Sequence, residues 1–310
     1  MWVRHPAAIS AARVLSPPGG RPPPVVAAHR TLHREPSAAA WKTPRTSIGR
    51  RPLQSVLDFL ITLVIWIYFT AGFVFLFSPF YLWAGLFSDD REQAFQRLNS
   101  RFYRGLFALV RRLMPGHRWQ VQPEVARIRS AVVVCNHRSY LDSIFLISLY
   151  ERHNTIVKSR LFDIPVFGRF LQWSGYIPSS AAGRFSEMMI RRLEGMDAFL
   201  ASGGNLIVFP EGTRSMDGRI GPLNKGAFKI ARSCRAPVKV LFVRGTERMF
   251  RPGRFAFDTR GPNTISLELV GSVDVGAGRE PGSLSQAMGR VRAMLEGQGT
   301  KAEGEREGKR

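Results

Sequence analysis

Residues 131–142 read AVVVCNHRSYLD, and this stretch sets the architecture of the chain. Ala131–Cys135 is short, apolar and rich in β-branched residues, which predicts a strand buried on both faces. Asn136 and Ser139 are residues that open helices, and an apolar helical pattern follows over 141–150. Strand, turn and helix thus succeed one another within twenty residues. The same rhythm recurs further on. Thr155–Val157, Leu206–Phe209, Val238–Val243 and Ile265–Val270 read as strands. Helix-period stretches lie near 185–202, 224–234 and 283–297. Alternation of this kind predicts an α/β fold, a mostly parallel sheet flanked by helices.

His137 and Asp142 fall where the first predicted strand gives way to its helix. On a regular helix five residues rotate about 500°, leaving two side chains roughly 140° apart. They meet only if His137 lies in the turn and Asp142 reaches back from the first helical turn. A carboxylate on one imidazole nitrogen fixes the tautomer and stabilises the imidazolium formed on proton capture. The other nitrogen is then a general base, and its natural client is an alcohol attacking a carbonyl. A His-x4-Asp pair taken alone is commonplace. Its place at the carboxyl end of a strand, where ligands bind in open α/β sheets, gives it weight.

A second predicted strand, Leu206–Phe209, runs into Pro210, Glu211, Gly212, Thr213, Arg214 and Ser215. Gly212 allows a turn close to a ligand. The Arg214 guanidinium is a planar fork of donors matched to phosphate, and Thr213 adds a hydroxyl. Lys225 and Gly226 open the next helix, a place where an anion is favoured. A solvated surface turn would use the same residues.

Taken together, NHRSYLD at 136–142 and FPEGTRS at 209–215 resemble the glycerolipid acyltransferase family, which includes lysophosphatidic acid acyltransferase. The resemblance runs from about residue 95 to 250. It includes Lys158, ahead of Ile164-Pro165-Val166-Phe167-Gly168, and the segment Asn224–Ala231. Two places depart from the family pattern. Gly175-Tyr176-Ile177-Pro178-Ser179-Ser180-Ala181 lacks the family's arginine, for which nearby Arg184 is a substitute. Ala236-Pro237-Val238-Lys239-Val240 keeps only the first of two prolines. The resemblance implies an O-acyltransferase with His137 as base and Asp142 orienting it. Glu211, Gly212, Thr213, Arg214, Lys158 and Lys225 would bind substrate, Glu211 by shaping the turn or contacting acceptor hydroxyls. It implies a lysophospholipid acceptor, most simply 1-acyl-sn-glycerol-3-phosphate, with another lyso-lipid such as a lyso-aminolipid as the alternative. Acyl-CoA or acyl carrier protein is the co-substrate, and neither a metal nor a bound cofactor is required.

Upstream, residues 59–88 contain no charged side chain. As straight helix they extend about 45 Å, more than the ~30 Å hydrocarbon core of a bilayer. Two layouts fit: one tilted span, or a helical hairpin entering and leaving by one leaflet. Arg50 and Arg51 on one side and Arg91, Arg97, Arg101 and Arg104 on the other favour the hairpin, with the catalytic domain on the cytoplasmic face. Pro79 is placed to kink or end the first helix. Trp66, Tyr68, Tyr81 and Trp83 suit a headgroup region. Residues 93–114 alternate apolar and arginine positions at helical spacing, either on anionic lipid or packed on the domain.

The chain therefore divides into a disordered, basic, Pro-rich segment at 1–52, a membrane-embedded helix or hairpin at 53–90, a catalytic domain at 91–297 and a disordered charged tail at 298–310. The first segment has the composition of an organellar transit peptide, which a mis-assigned start would share. The 45 Lys+Arg against 23 Asp+Glu favour an anionic partner, nucleic acid or acidic membrane, although arginine-rich codon usage gives the same excess. No helix-turn-helix, zinc finger or aromatic RNA-binding pattern is present, so anionic membrane lipid is the expected partner, not nucleic acid. No Gly-x-Ser-x-Gly elbow marks a serine hydrolase or thioesterase. Cys135 and Cys234 form neither a CxxC pair nor a ligand cluster.

Overall fold

A computed structural model describes residues 52–180, 183–215, 217–251, 253–276 and 283–307. The expectations for residues 1–51, Arg50 and Arg51 included, lie outside the described residues. The sheet has seven strands in the order β1-β7-β6-β2-β5-β3-β4: β1 His117–Val121, β2 Ala131–Cys135, β3 His153–Val157, β4 Ile177–Pro178, β5 Asn205–Val208, β6 Val238–Arg244 and β7 Asn263–Val273. All neighbours are parallel except β6 and β7, which are antiparallel. The expected mostly parallel α/β sheet is what the chain forms. The sequence pattern does not predict β1 or β4; the first carries three polar residues in five, and the second is two residues long.

β2 lies centrally, and all five of its residues are buried. Its alternation separates two cores. Ala131, Val133 and Cys135 face one, and Val132 and Val134 face the other. The first core is closed by α3 (Arg91–Leu113), α5 (Leu141–Leu149) and α6 (Phe167–Trp173). The second is closed by α8 (Met196–Ala201), α9 (Gly226–Ser233) and α11 (Ser283–Glu307). In α3, Phe95, Phe102, Leu106, Phe107 and Val110 are buried, so the helix at 93–114 packs on the domain. The remaining elements are α4 (Pro123–Arg127), α7 (Phe185–Glu194) and α10 (Thr246–Met249).

The apolar run does not reverse. α1 (Pro52–Ile67), a wider π-wound stretch (Tyr68–Phe77) and α2 (Ser78–Phe87) follow one another without a break. This corrects the expected hairpin. Pro79 stands in the first turn of α2, and the slack π winding just before it absorbs the hydrogen bond a proline cannot make. One side of the run packs on the domain through Ile61, Ile65, Tyr81 and Ala84. The other side leaves Leu53, Phe59, Phe75, Leu86 and Phe87 exposed. Three aromatics expected at headgroups are engaged by the domain instead. Trp66 stacks on Phe255, Tyr68 Oη donates to the Phe102 carbonyl, and Tyr81 Oη donates to Asn99 Oδ1. Only Trp83 of the four is strongly exposed. At the other end, α11 continues past residue 297 to Glu307, where the sequence predicts a disordered tail. Lys301, Ala302, Glu303 and Glu305 are good helix formers, and no proline follows Pro281.

Asn99 ties these layers together. Its Nδ2 donates to Ser174 Oγ at 3.1 Å and to Tyr176 Oη at 3.0 Å. His153 Nδ1 lies 2.8 Å from the Tyr150 carbonyl and must donate to it, so Nε2 accepts from Tyr176 Oη at 2.9 Å. Burial pushes the His153 pKa down to about 4. The unfolded imidazole titrates near pH ~6.5, so its share of stability is present above that pH and is lost as pH falls through about 4. The thermal midpoint should therefore drop between those values, by a free energy on the order of 3 kcal/mol. His153→Gln should flatten this part of the profile; an unchanged slope in a melting series against pH would count against it.

Candidate active site

β2, β5 and β6 are parallel neighbours, so their carboxyl ends open on one edge of the sheet. At the end of β2, Asn136 bridges to β6. Its Nδ2 donates to the Val243 carbonyl at 3.0 Å, and its Oδ1 accepts from Val243 N at 2.7 Å. An amide side chain thus extends the ladder by one rung and fixes where the turn begins. Ser139 Oγ accepts from Leu141 N at 3.2 Å and donates to the Phe250 carbonyl at 2.9 Å, which starts α5.

Asp142 lies in the first turn of α5 and is wholly buried. Its Oδ2 accepts from Arg138 N and Ser139 N, each at 2.7 Å, and sits 3.1 Å from His137 Nδ1. Its Oδ1 accepts from Thr246 Oγ1 at 2.6 Å. The carboxylate reaches back over the helix start in the manner of a capping box, where the positive end of the helix favours its charge. With an anion at Nδ1, that nitrogen carries the proton and Nε2 holds the lone pair. The His137 ring stacks on Phe209, centroids 4.2 Å apart, and its side chain remains 13% exposed. The geometry read from the five-residue spacing, a turn histidine backed by a first-turn aspartate, is therefore what the chain forms.

The second segment closes on the first. Glu211 Oε1 accepts from His137 N at 3.1 Å and Oε2 accepts from Gly221 N at 3.0 Å. Ser215 N donates to the His137 carbonyl at 2.8 Å. Burial pushes the Glu211 carboxyl up from its ordinary value, and the two backbone N–H groups and His137 pull the other way. Both carboxylate oxygens are thus committed to backbone, which gives Glu211 the turn-shaping role of the two expected. Gly212 has φ +68° and no neighbour within 4 Å of a Cβ, so the turn needs glycine for its backbone angle, not for space. The Arg214 guanidinium lies over the Tyr140 ring at 3.6 Å. Among the described residues its N–H groups have no hydrogen-bonded partner, which leaves the fork available to an anion. Thr213 is exposed beside it.

Two other expected residues stand apart. Lys158 follows β3 on the same sheet edge and is exposed. Lys225 is exposed at the start of α9, near the turn because Asn224 N donates to the Pro210 carbonyl. Neither side chain touches His137 or Arg214. Arg184, the expected substitute for the family arginine, is paired with Asp163 and lies over the Phe185 ring.

The sequence did not single out Thr246, and it gave Phe209 no role beyond opening the FPEGTRS segment. Thr246 follows Gly245 at the end of β6. Gly245 has φ +82°, and a Cβ there would come 2.1 Å from the Thr264 carbonyl oxygen. Only glycine makes this turn, and the turn delivers the Thr246 hydroxyl to Asp142. A third strand ending in a glycine turn on the same edge was the available signal. Thr246→Val removes one donor from a buried carboxylate and loosens the hold of Asp142 on His137. Expected is a kcat reduced about ten-fold and a KM changed little, with Thr246→Ser restoring kcat. A Val variant with wild-type kcat would refute this.

Comparison with known proteins agrees with this geometry. Residues 118–243 match the family model described as Acyltransferase. Residues 118–243 thus resemble that family. Among curated proteins, a chloroplastic 1-acyl-sn-glycerol-3-phosphate acyltransferase of Brassica napus is 37% identical over 122 residues, 39% of this chain and 35% of the relative. A chloroplastic 1-acyl-sn-glycerol-3-phosphate acyltransferase of Arabidopsis thaliana is 35% identical over 123 residues, 40% of this chain and 34% of the relative. The chain thus spans about a third of the length of these relatives. Among solved structures, the 1-acyl-sn-glycerophosphate acyltransferase from Thermotoga maritima shares the fold. Its TM-score is 0.58 at 23% identity, covering 79% of this chain and 97% of that one.

Proposed function

We propose that this chain transfers a fatty acyl group from an acyl thioester to the hydroxyl of a lysophospholipid, converting 1-acyl-sn-glycerol-3-phosphate to phosphatidic acid. The observation that carries the reading is the His137–Asp142 pair, whose N–H-bearing Nδ1 is held at 3.1 Å with Phe209–Arg214 folded against it. The acceptor phosphate binds the open fork of Arg214. His137 Nε2 takes the acceptor's hydroxyl proton, and Asp142 stabilises the imidazolium. The hydroxyl oxygen forms a bond to the thioester carbonyl carbon. The tetrahedral adduct collapses by breaking the carbon–sulfur bond, and the thiolate leaves with the proton from His137. The donor is acyl-CoA or acyl carrier protein, and no acyl-enzyme forms. The names of the plant relatives support the same acceptor.

The membrane reading rests on the helix from Leu53 to Phe87, which is long and apolar enough to cross a bilayer. The domain holds it near both ends, through Gln54 and Asp58 on Thr259 and through Tyr81 on Asn99. A helix so attached cannot pass through the bilayer while its domain stays in water. It lies within one leaflet, outer face in lipid, and the basic flanks support a domain on the cytoplasmic side. Acyl transfer by purified membranes to a panel of lyso-lipids tests the activity, wild type against His137→Ala. Acylation of none, or an alanine variant that works normally, rules the reading out.

A further inference from the structure

The segment after α10 runs back over α1 before entering β7. Phe257 N donates to Thr62 Oγ1 at 2.9 Å, and Trp66 Nε1 donates to the Phe255 carbonyl at 3.4 Å. Thr259 donates to Asp58 Oδ1 from its N at 3.1 Å and its Oγ1 at 2.6 Å. Between helix and segment lies a cavity of about 390 Å³, lined by Ser55, Phe59, Phe255, Arg251, Arg254 and Asp258 among others.

The charges around this cavity are unequal. Asp58 also lines it, but its carboxylate is consumed by Thr259 and Gln54. Asp258 is held by the Arg260 guanidinium. Arg251 and Arg254 are exposed and have no hydrogen bond or ion pair from their side chains among the described residues. Arg251 also acts through space on the Asp258 carboxylate, but neither arginine is hydrogen-bonded to it, so the cavity offers two accessible cations above an apolar floor. Phe59 and Phe255, at 60% and 67% exposed, continue that floor into the bare apolar face of the helix. An anion with an attached hydrocarbon chain complements such a surface, where a small soluble anion would leave the floor uncovered.

We propose that Arg251 and Arg254 bind the phosphate of an anionic glycerophospholipid of the surrounding membrane, its chain lying along the Phe59 face of α1. This site is separate from the acceptor site at Arg214, and it rests on the membrane placement proposed above. The segment also braces the catalytic turn. Phe250 stacks on Phe257 at 4.6 Å, and the Phe250 carbonyl accepts from Ser139 Oγ, whose backbone N–H is bonded to Asp142. A bound lipid therefore holds the segment that supports the turn of His137, and acyl transfer is faster on an anionic surface than on a neutral one.

Vesicle flotation of the full chain reads the site without catalysis, on phosphatidylcholine with and without phosphatidylglycerol. Binding to the anionic vesicles should weaken about thirty-fold in the double variant Arg251→Gln/Arg254→Gln. A control of equal charge change, Arg290→Gln/Arg292→Gln on α11, removes two exposed arginines from the opposite face of the sheet and should change binding less than about three-fold. The first double variant should keep its rate in neutral mixed micelles and lose the stimulation by phosphatidylglycerol. Equal losses in both double variants would mean diffuse charge attraction and overturn the site, as would wild-type binding by the first. Displacement by soluble glycerol 3-phosphate, beyond that by chloride of equal ionic strength, would overturn the commitment to a lipid. Because flotation needs no acceptor, a failed acyl-transfer assay leaves this test intact.

Discussion

Asp142→Asn should lower kcat for acyl transfer by about 10³–10⁴-fold while leaving the fold and its melting temperature nearly unchanged. Magnitudes of that order follow amidation of the aspartate behind the histidine in a Ser-His-Asp triad. The geometry gives a specific reason to expect it here. Three N–H donors converge where Oδ2 stands: His137 Nδ1, Arg138 N and Ser139 N. One hydroxyl, that of Thr246, faces Oδ1. An asparagine satisfies this arrangement in one orientation only, with its oxygen toward the three donors and its NH2 toward Thr246, whose hydroxyl then accepts. The turn keeps its hydrogen bonds, but the negative charge that stabilises the imidazolium is gone. Asp142→Ala instead leaves two backbone N–H groups without an acceptor, which costs about 1–3 kcal/mol each. It should lose both activity and stability. Steady-state kinetics beside thermal melts of the two variants separate the roles. If the Asp142→Asn enzyme retained more than a tenth of wild-type kcat, the carboxylate's charge would not be what His137 needs.

The contrast between what the sequence made legible and what it did not follows the range of the interactions. β2, its turn and α5 are encoded locally, in a β-branched run, helix-entry residues and a five-residue spacing. All three are readable there, and helix geometry together with the helix-entry residues Asn136 and Ser139 gives the reach of Asp142 to His137. Thr246 is 104 residues away in sequence, and its meeting with Asp142 depends on β6 lying beside β2. Strand order is not written in any local pattern, so the glycine turn before Thr246 marks a strand end but not the strand it lies beside. Glu211 shows the same limit in another form. Its motif flagged it as important, but the partners of its two oxygens, a backbone N–H across the site and another across a loop, come only from the fold. In α1 the error ran the other way. A proline and symmetric basic flanks argued for reversal, but the π-wound turn before Pro79 let the helix continue. Asp58, an acid just before the apolar run, is the sequence sign that this helix has a polar partner on the domain side.

Glu211→Ala should be the most damaging change outside the histidine–aspartate pair, and for a structural reason. The carboxylate straps the β5 turn to the β2 turn by accepting from His137 N and closes its own loop by accepting from Gly221 N. Alanine strands both donors, an expected loss of about 2–6 kcal/mol. The turns that carry His137 and Arg214 are then free to separate. A displacement near 1 Å at a reacting group costs about 100-fold, so kcat/KM should fall by that order, with kcat and KM both affected. Glutamine does not rescue the strap. Its oxygen serves one donor, but its NH2 must face the other, so one N–H is opposed by another. Glu211→Gln should therefore recover less than half of the lost stability and remain well below wild-type activity. A general base at this position would behave differently, losing kcat with little change in melting temperature for either variant. Thermal denaturation and acyl-transfer kinetics of the pair distinguish the two. A stable but inactive Glu211→Gln enzyme would return Glu211 to the chemistry and remove it from the scaffold.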